Sequence, residues 1–293
     1  MKFLITGAAG QLGREWVYYL QGENISYTAY SSSDLDITNR NQVFRILERD
    51  VPDVVVNCAA YTRVDDAEDQ KEAAFSVNRD GVKNVADACK NFHAALIHYS
   101  TDYVFPGTAA DKERYPAGYP ENAETAPINV YGQSKRAGEL ILEECELANW
   151  LLIRVAWLCG PYETNFVKTM LRLAADRDEI GVVDDQFGSP SYTFDVVEKS
   201  LLLFRKNETG IFHVTGKGLI SWADFAEAIF NKSGVETTVK RIASLQFPQK
   251  AKRPFFSYLS TGKLQQKNID VINWSNGLDV LLARLKRINT KNS

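Results

Sequence analysis

Tyr131 and Lys135 stand four residues apart in Tyr131-Gly132-Gln133-Ser134-Lys135. On a helix that spacing places both on one face, a turn from each other. An ammonium beside a phenol favours the phenolate and lowers a pKa that starts at about 10. Such a tyrosine can give or take a proton near neutral pH. The same spacing also describes an amphipathic helix with a snorkelling lysine. Chemistry requires a cofactor, an oriented substrate and a third polar partner. Upstream, the stretch Ser100-Thr101-Asp102-Tyr103-Val104-Phe105 begins with two hydroxyls at the end of an apolar run.

The elements that must position these groups alternate between strand and helix. Lys2 to Thr6 reads as a buried strand, and Arg14 to Leu20 as an amphipathic helix. Between them, Gly7, Gly10 and Gly13 are spaced G-x-x-G-x-x-G, a turn whose backbone can approach a pyrophosphate at a helix N-terminus. Ile25 to Tyr30 is a second strand. It ends in Ser31-Ser32-Ser33, where an acidic residue would hold an unphosphorylated ribose, so a 2′-phosphate is permitted but not demanded. Asp36 or Thr38 is placed to cap a helix through Arg49. The β-branched run from Val54 suits a strand buried on both faces, and Asp66 to Asn91 is helical, with Asn78 inside. Ala95 to Thr101 is the next strand, so the pattern is that of a Rossmann-type, doubly wound parallel α/β sheet. Gly107 to Pro127 lacks periodicity and reads as an irregular substrate-facing loop. The Tyr131 helix runs to Cys145 and a strand spans Trp150 to Trp157.

Beyond Asn165 the texture changes. Residues 1–160 are expected to form the dinucleotide-binding domain, which also receives roughly 192–208 through a helix over Phe194–Phe204. Residues 161–293 form a smaller, mainly substrate-binding α/β domain. That part contains a turn-rich stretch from Val182 to Pro190, a helix capped by Ser221, an extended segment opened by Arg253-Pro254, and a frayed polar tail from Lys286.

Composition bounds the function. The 293 residues are 45% hydrophobic and 24% charged, with net charge −3, so no basic field points to nucleic acid. Cys58, Cys89, Cys145 and Cys159 are scattered and read as reduced thiols; with three scattered histidines, metal ligation is not expected. No stretch approaches the roughly 18 apolar residues of a membrane span. A cytoplasmic protein with no membrane partner is the expectation.

The ordered motifs resemble the extended short-chain dehydrogenases/reductases and, within them, the dTDP-4-dehydrorhamnose reductase family. The likeness runs through Thr6 to Gly13, Asp34 to Thr38, Asn57 to Thr62, Ser100 to Phe105, Pro127 to Glu139, Arg154 with Trp157, Asp185 to Pro190, and Arg253-Pro254. The resemblance implies that Gly10, Gln11 and Leu12 cradle a cofactor pyrophosphate flanked by Gly7 and Gly13. It puts Asp36 and Ile37 at the adenine, and Ala60, Tyr61, Thr62 and Asn78 along the cofactor. It makes Tyr131 the proton donor, Lys135 the holder of the nicotinamide ribose, and Thr101 the third catalytic residue. Thr101, Asp102 and Trp157 meet the sugar, and Arg253 or Lys168 its diphosphate. The implied reaction reduces the 4-keto group of a dTDP-sugar with NADPH, NADH remaining open, in a monomer or homodimer. Some relatives use Mg2+ at acidic clusters; Glu15, Asp184 and Asp185 match part of one, and no metal is predicted. Three alternatives stand beside this reading: a reductase of another nucleotide-linked 4-keto-6-deoxysugar, an epimerase or dehydratase, and a non-catalytic subunit resembling the regulatory β subunit of methionine adenosyltransferase. Cys58 and Arg63 replace commoner small residues, and Ser191 a commoner threonine.

Overall fold

Alternating side chains in the first strand face two different cores, and the main sheet follows from that. In the computed structural model, which describes residues 1–247 and 249–292, Phe3 and Ile5 pack on one side of the sheet with Trp16, Val54 and Val56; Leu4 packs on the other with Val55, Val82 and Leu96. Strands buried on both faces read as continuous apolar runs, which is why Val54-Val55-Val56 is β-branched throughout.

The first half comprises β1 (Lys2–Thr6), α1 (Gln11–Gly22), β2 (Ser26–Tyr30), α2 (Arg40–Asp50), β3 (Val54–Asn57), α3 (Lys71–Phe75), α4 (Val82–Asn91) and β4 (Ala95–Thr101). There follow α5 (Ala109–Arg114), α6 (Val130–Glu144), β5 (Trp150–Val155), α7 (Phe166–Ala174), β6 (Glu179–Val183), β7 (Phe187–Gly188), α8 (Thr193–Arg205) and β8 (Gly210–His213). The chain continues with β9 (Ile220–Ser221), α9 (Trp222–Ser233), β10 (Thr238–Ile242), α10 (Gly262–Gln266) and α11 (Trp274–Asn292). The main sheet has the order β2-β1-β3-β4-β5-β8, parallel throughout. The chain turns from one side of β1 to the other between β2 and β3, and the cleft outside the C-terminal ends of β1 and β3 is where such sheets take ligands. α8 returns to the main sheet, where Val196, Val197 and Leu201 join the core under Trp16. A separate core lies around Phe225, Ile229, Tyr192 and Leu281, beside the pairs β6–β10 and β7–β9. No helix among the described residues is long and apolar enough to cross a membrane.

Several local expectations are corrected. Asn39, not Asp36 or Thr38, caps α2: its side chain accepts from Gln42 N at 3.1 Å, and Asp36 is occupied by the Thr38 hydroxyl at 2.8 Å. The helical stretch from Asp66 is broken by a 3₁₀ turn (Asp66–Glu68) and a π turn (Ser76–Gly81). The irregular loop after Gly107 contains α5, started by a reciprocal cap between Thr108 and Asp111. β6 and β10 were not foreseen. The tail from Lys286 continues α11 through Asn292, and Ser293 lies outside the described residues.

Candidate active site

The three glycines of the first turn do different jobs. Gly7 has φ +62°, and a Cβ there would lie 2.6 Å from Ala59 N; one on Gly13 would lie 2.3 Å from Gly7 O. These two let β1, β3 and α1 close on one another. At Gly10 a Cβ would meet only Gly7 O, at 3.4 Å, and no side chain caps the first turn of α1 there. The open backbone and uncapped helix end suit a pyrophosphate. They form one end of a cleft of about 880 Å³. Gln11, Leu12, Ser32, Asp36 and Ile37 border this end, and Ala60, Tyr61 and Thr62 continue the wall from β3. Thr6 Oγ1 donates to Asn57 Oδ1 at 2.6 Å and ties the two strand ends together.

Asn78, expected at the cofactor, stands behind this wall. The π turn carries it inward, where Oδ1 accepts from Tyr61 N at 2.9 Å and Nδ2 donates to Tyr61 O and to Ser134 Oγ, at 3.0 and 2.9 Å. Ser134 Oγ donates in turn to Tyr131 O at 2.7 Å. Asn78 thus couples the cofactor wall to the helix of Tyr131.

That helix, α6, starts at Asn129, whose side chain accepts from Gly132 N at 2.8 Å. A Cβ on Gly132 would lie 2.3 Å from Tyr103 O, and one on Gly138 would lie 2.1 Å from Asn78 O. Bare backbone at both positions lets α6 press against the turn after β4 and against the π turn. Tyr131, Lys135, Thr101 and Asp102 consequently border one cleft with the glycine turn. Lys135 is buried and donates from Nζ to Tyr99 O at 2.6 Å. Burial brings its pKa down to about 8, opposed by the carboxylate of Glu139 one turn on and by Cys58. Glu139 is gripped at both oxygens by buried Arg154, each contact 2.8 Å.

The spacing of Tyr131 and Lys135 predicted a lowered phenol pKa. The opposite holds: burial and, after it, the charge of Asp102 raise Tyr131, with the nearby Thr101 hydroxyl opposing them. This phenol stays protonated at neutral pH. Asp102 is itself pushed up to about 6 by burial, against the hydroxyls of Thr101 and Ser257 and the nearby N–H groups. Thr101 Oγ1 donates to Asp102 Oδ1 at 2.9 Å and accepts from Tyr103 N at 3.2 Å, while Asp102 Oδ2 has no hydrogen-bond partner.

Trp157 reaches the cleft with φ +48°, rare for a bulky residue, and stacks on Trp222 with centroids 3.6 Å apart. A Cβ on Gly188 would come within 2.8 Å of its ring, which explains that glycine in β7. Arg253 is engaged elsewhere, donating to Asp65 at 2.8 Å outside the cleft lining, and Lys168 reaches only Pro161 O, at 3.4 Å. Glu15 pairs with Arg284, Asp184 with Arg241, and Asp185 with Ser244. Among the described residues no three His, Cys, Asp or Glu side chains are grouped to hold a metal. Ser32 and Ser100, from the serine run and the Ser100–Phe105 motif, also border the cleft; sequence reasoning missed Glu163 and Thr164, which follow β5 and which nothing in their spacing marks.

The comparisons agree with this geometry. A family profile described as the RmlD substrate binding domain matches residues 1–287. The dTDP-4-dehydrorhamnose reductase of Aggregatibacter actinomycetemcomitans is 40% identical over 296 residues, covering 96% of this chain and 98% of that protein. The dTDP-4-keto-6-deoxy-D-glucose reductase of Streptomyces niveus is 37% identical, covering 94% and 95%. The crystal structure of Bacillus anthracis dTDP-4-dehydrorhamnose reductase in complex with NADP superposes with a TM-score of 0.91 at 37% identity, covering 97% and 99%. With a profile match over nearly its full length and relatives this similar end to end, the chain belongs to the RmlD family of dTDP-4-dehydrorhamnose reductases.

Proposed function

We propose that this chain reduces the 4-keto group of dTDP-4-dehydro-L-rhamnose to give dTDP-L-rhamnose, with NADPH or NADH as reductant. The observation that carries the reading is the convergence of Thr101, Tyr131 and Lys135 on the cleft that begins at Gly10. The reduced nicotinamide, when bound, supplies the hydride. Tyr131, kept protonated by burial, delivers its phenolic proton to the carbonyl oxygen as negative charge develops there. Lys135 lies one helical turn away and is largely charged at neutral pH, so its field steadies the tyrosinate left behind. Thr101 holds the oxygen beside the phenol. Trp157 forms an apolar wall for the sugar, and Gly10, Gln11 and Leu12 receive the cofactor pyrophosphate.

The Streptomyces niveus relative favours a second reading, a reductase of a different dTDP-4-keto-6-deoxysugar. Loss of nicotinamide absorbance, followed with a panel of dTDP-4-keto-6-deoxysugars and both cofactors, tests the two. Preferred turnover of the rhamnose precursor supports the first reading, preferred turnover of another sugar replaces it with the second, and no turnover of any sugar overturns both.

A further inference from the structure

The hydroxyl of Thr101 is already committed. Its hydrogen goes to Asp102 Oδ1, 2.9 Å away, and its oxygen accepts the N–H of Tyr103. A hydroxyl has one hydrogen to give. In this arrangement Thr101 cannot donate to a ketone oxygen. If its hydrogen turned toward the cleft, Asp102 would lose that partner at Oδ1 while Oδ2 already has none. A buried carboxylate that gives up its one short hydrogen bond is left costly. Asp102 is 3% exposed at the cleft wall, so a sugar seated there leaves no room for water to take over. Something entering the cleft must therefore donate to Asp102 when Thr101 lets go.

Resting on the proposed function, we infer that Asp102 is a positioning residue that couples Thr101 to a substrate hydroxyl next to the ketone. A sugar with a free hydroxyl on the carbon adjacent to the 4-keto group donates it to Asp102. The Thr101 hydrogen is thereby released and turns to the carbonyl oxygen, joining Tyr131. No bond other than hydrogen bonds is made or broken in this exchange. Selectivity for a vicinal hydroxy-ketone then shows in the rate of reduction as well as in binding, because the hydroxyl frees a donor that acts on the transition state. The Ser257 hydroxyl also favours the charged carboxylate.

The test compares a dTDP-4-keto-6-deoxysugar with its 3-deoxy counterpart, in the native enzyme and in Asp102→Ala and Thr101→Val, each first shown to bind NADPH. In the native enzyme, loss of the vicinal hydroxyl is expected to lower kcat on the order of tenfold to a hundredfold, the effect of a hydrogen bond to a charged group. In Asp102→Ala the two sugars should react at similar kcat, because Thr101 is free with either. In Thr101→Val the kcat difference should vanish while the KM difference persists. Should Asp102→Ala not bind NADPH, Asp102→Asn, which keeps the shape, is expected to show a reduced kcat ratio. An equal kcat penalty in native enzyme and Asp102 variants, or none in the native enzyme, overturns the coupling and leaves the reductase reading standing. A native enzyme that turns over neither sugar overturns both.

Discussion

Burial decides the titration of the groups at the bottom of the cleft, and it acts in opposite directions on Lys135 and Tyr131. The lysine is pushed down to about 8 from an ordinary 10.5, and the tyrosine is pushed up. As pH rises, Lys135 loses its charge before Tyr131 loses its proton. The alkaline limb of kcat/KM is therefore expected at about 8 and belongs to the lysine. Residual activity in Lys135→Arg should lack that limb; a limb unmoved by this change would contradict the assignment. Asp102 gives a stability signature. Its folded pKa of about 6 exceeds the ordinary 3.8, so it binds more protons folded than unfolded between those values, and its contribution is lost as pH rises through about 6. Asp102→Asn should raise the denaturation midpoint at pH 8 relative to native and do so less at pH 5, by a difference of about 1–2 kcal/mol. The identities of Tyr131, Lys135 and Thr101 were legible from spacing and motif order. The direction of the tyrosine shift was not, because it depends on how deeply three separate elements bury one ring.

α6 reaches its place only because two of its positions carry no Cβ. Gly138→Ala would put a methyl group 2.1 Å from the backbone oxygen of Asn78, an atom that cannot rotate away. Overpacking of this kind costs about 1–3 kcal/mol. Because Asn78 supports Ser134 and, through it, Tyr131, turnover should fall together with the chemical-denaturation midpoint. A variant as stable and active as native would show that the contact is slack. The strands of the main sheet were legible because burial on both faces leaves continuous apolar runs, and β1 and β4 have the bounds their sequences imply. β6 and β10 were not: they are short, partly exposed, and defined by pairing with each other across the 54 residues that separate Val183 from Thr238. The π turn holding Asn78 is a slip in hydrogen-bond register, which side-chain periodicity does not record.

Across the molecule, the helix that begins at the cofactor turn is also the tie between its two halves. Gln11 Oε1 accepts from Asn165 Nδ2 at 2.9 Å, at the cap of α7; buried Glu15 accepts from Thr193 Oγ1 of α8 at 2.9 Å and from Arg284 of α11 at 2.7 Å. Arg284→Met leaves the Glu15 carboxylate buried with only a hydroxyl, and such losses cost about 3–5 kcal/mol. Thermal denaturation should show that loss, and adding Glu15→Gln should recover part of it; no recovery would mean that the charge is not the cause. None of this tie was legible in the sequence, since Glu15 and Arg284 are 269 positions apart and only the folded chain brings them together. The fold places one phenol, one ammonium and one hydroxyl where a dinucleotide and a keto sugar can meet. The most direct test is NADPH oxidation with dTDP-4-dehydro-L-rhamnose by native enzyme and by Tyr131→Phe. The native enzyme should turn over, and the variant should bind NADPH normally while losing about 10²–10⁴-fold in kcat; native-like turnover by Tyr131→Phe would contradict the role of the tyrosine as proton donor.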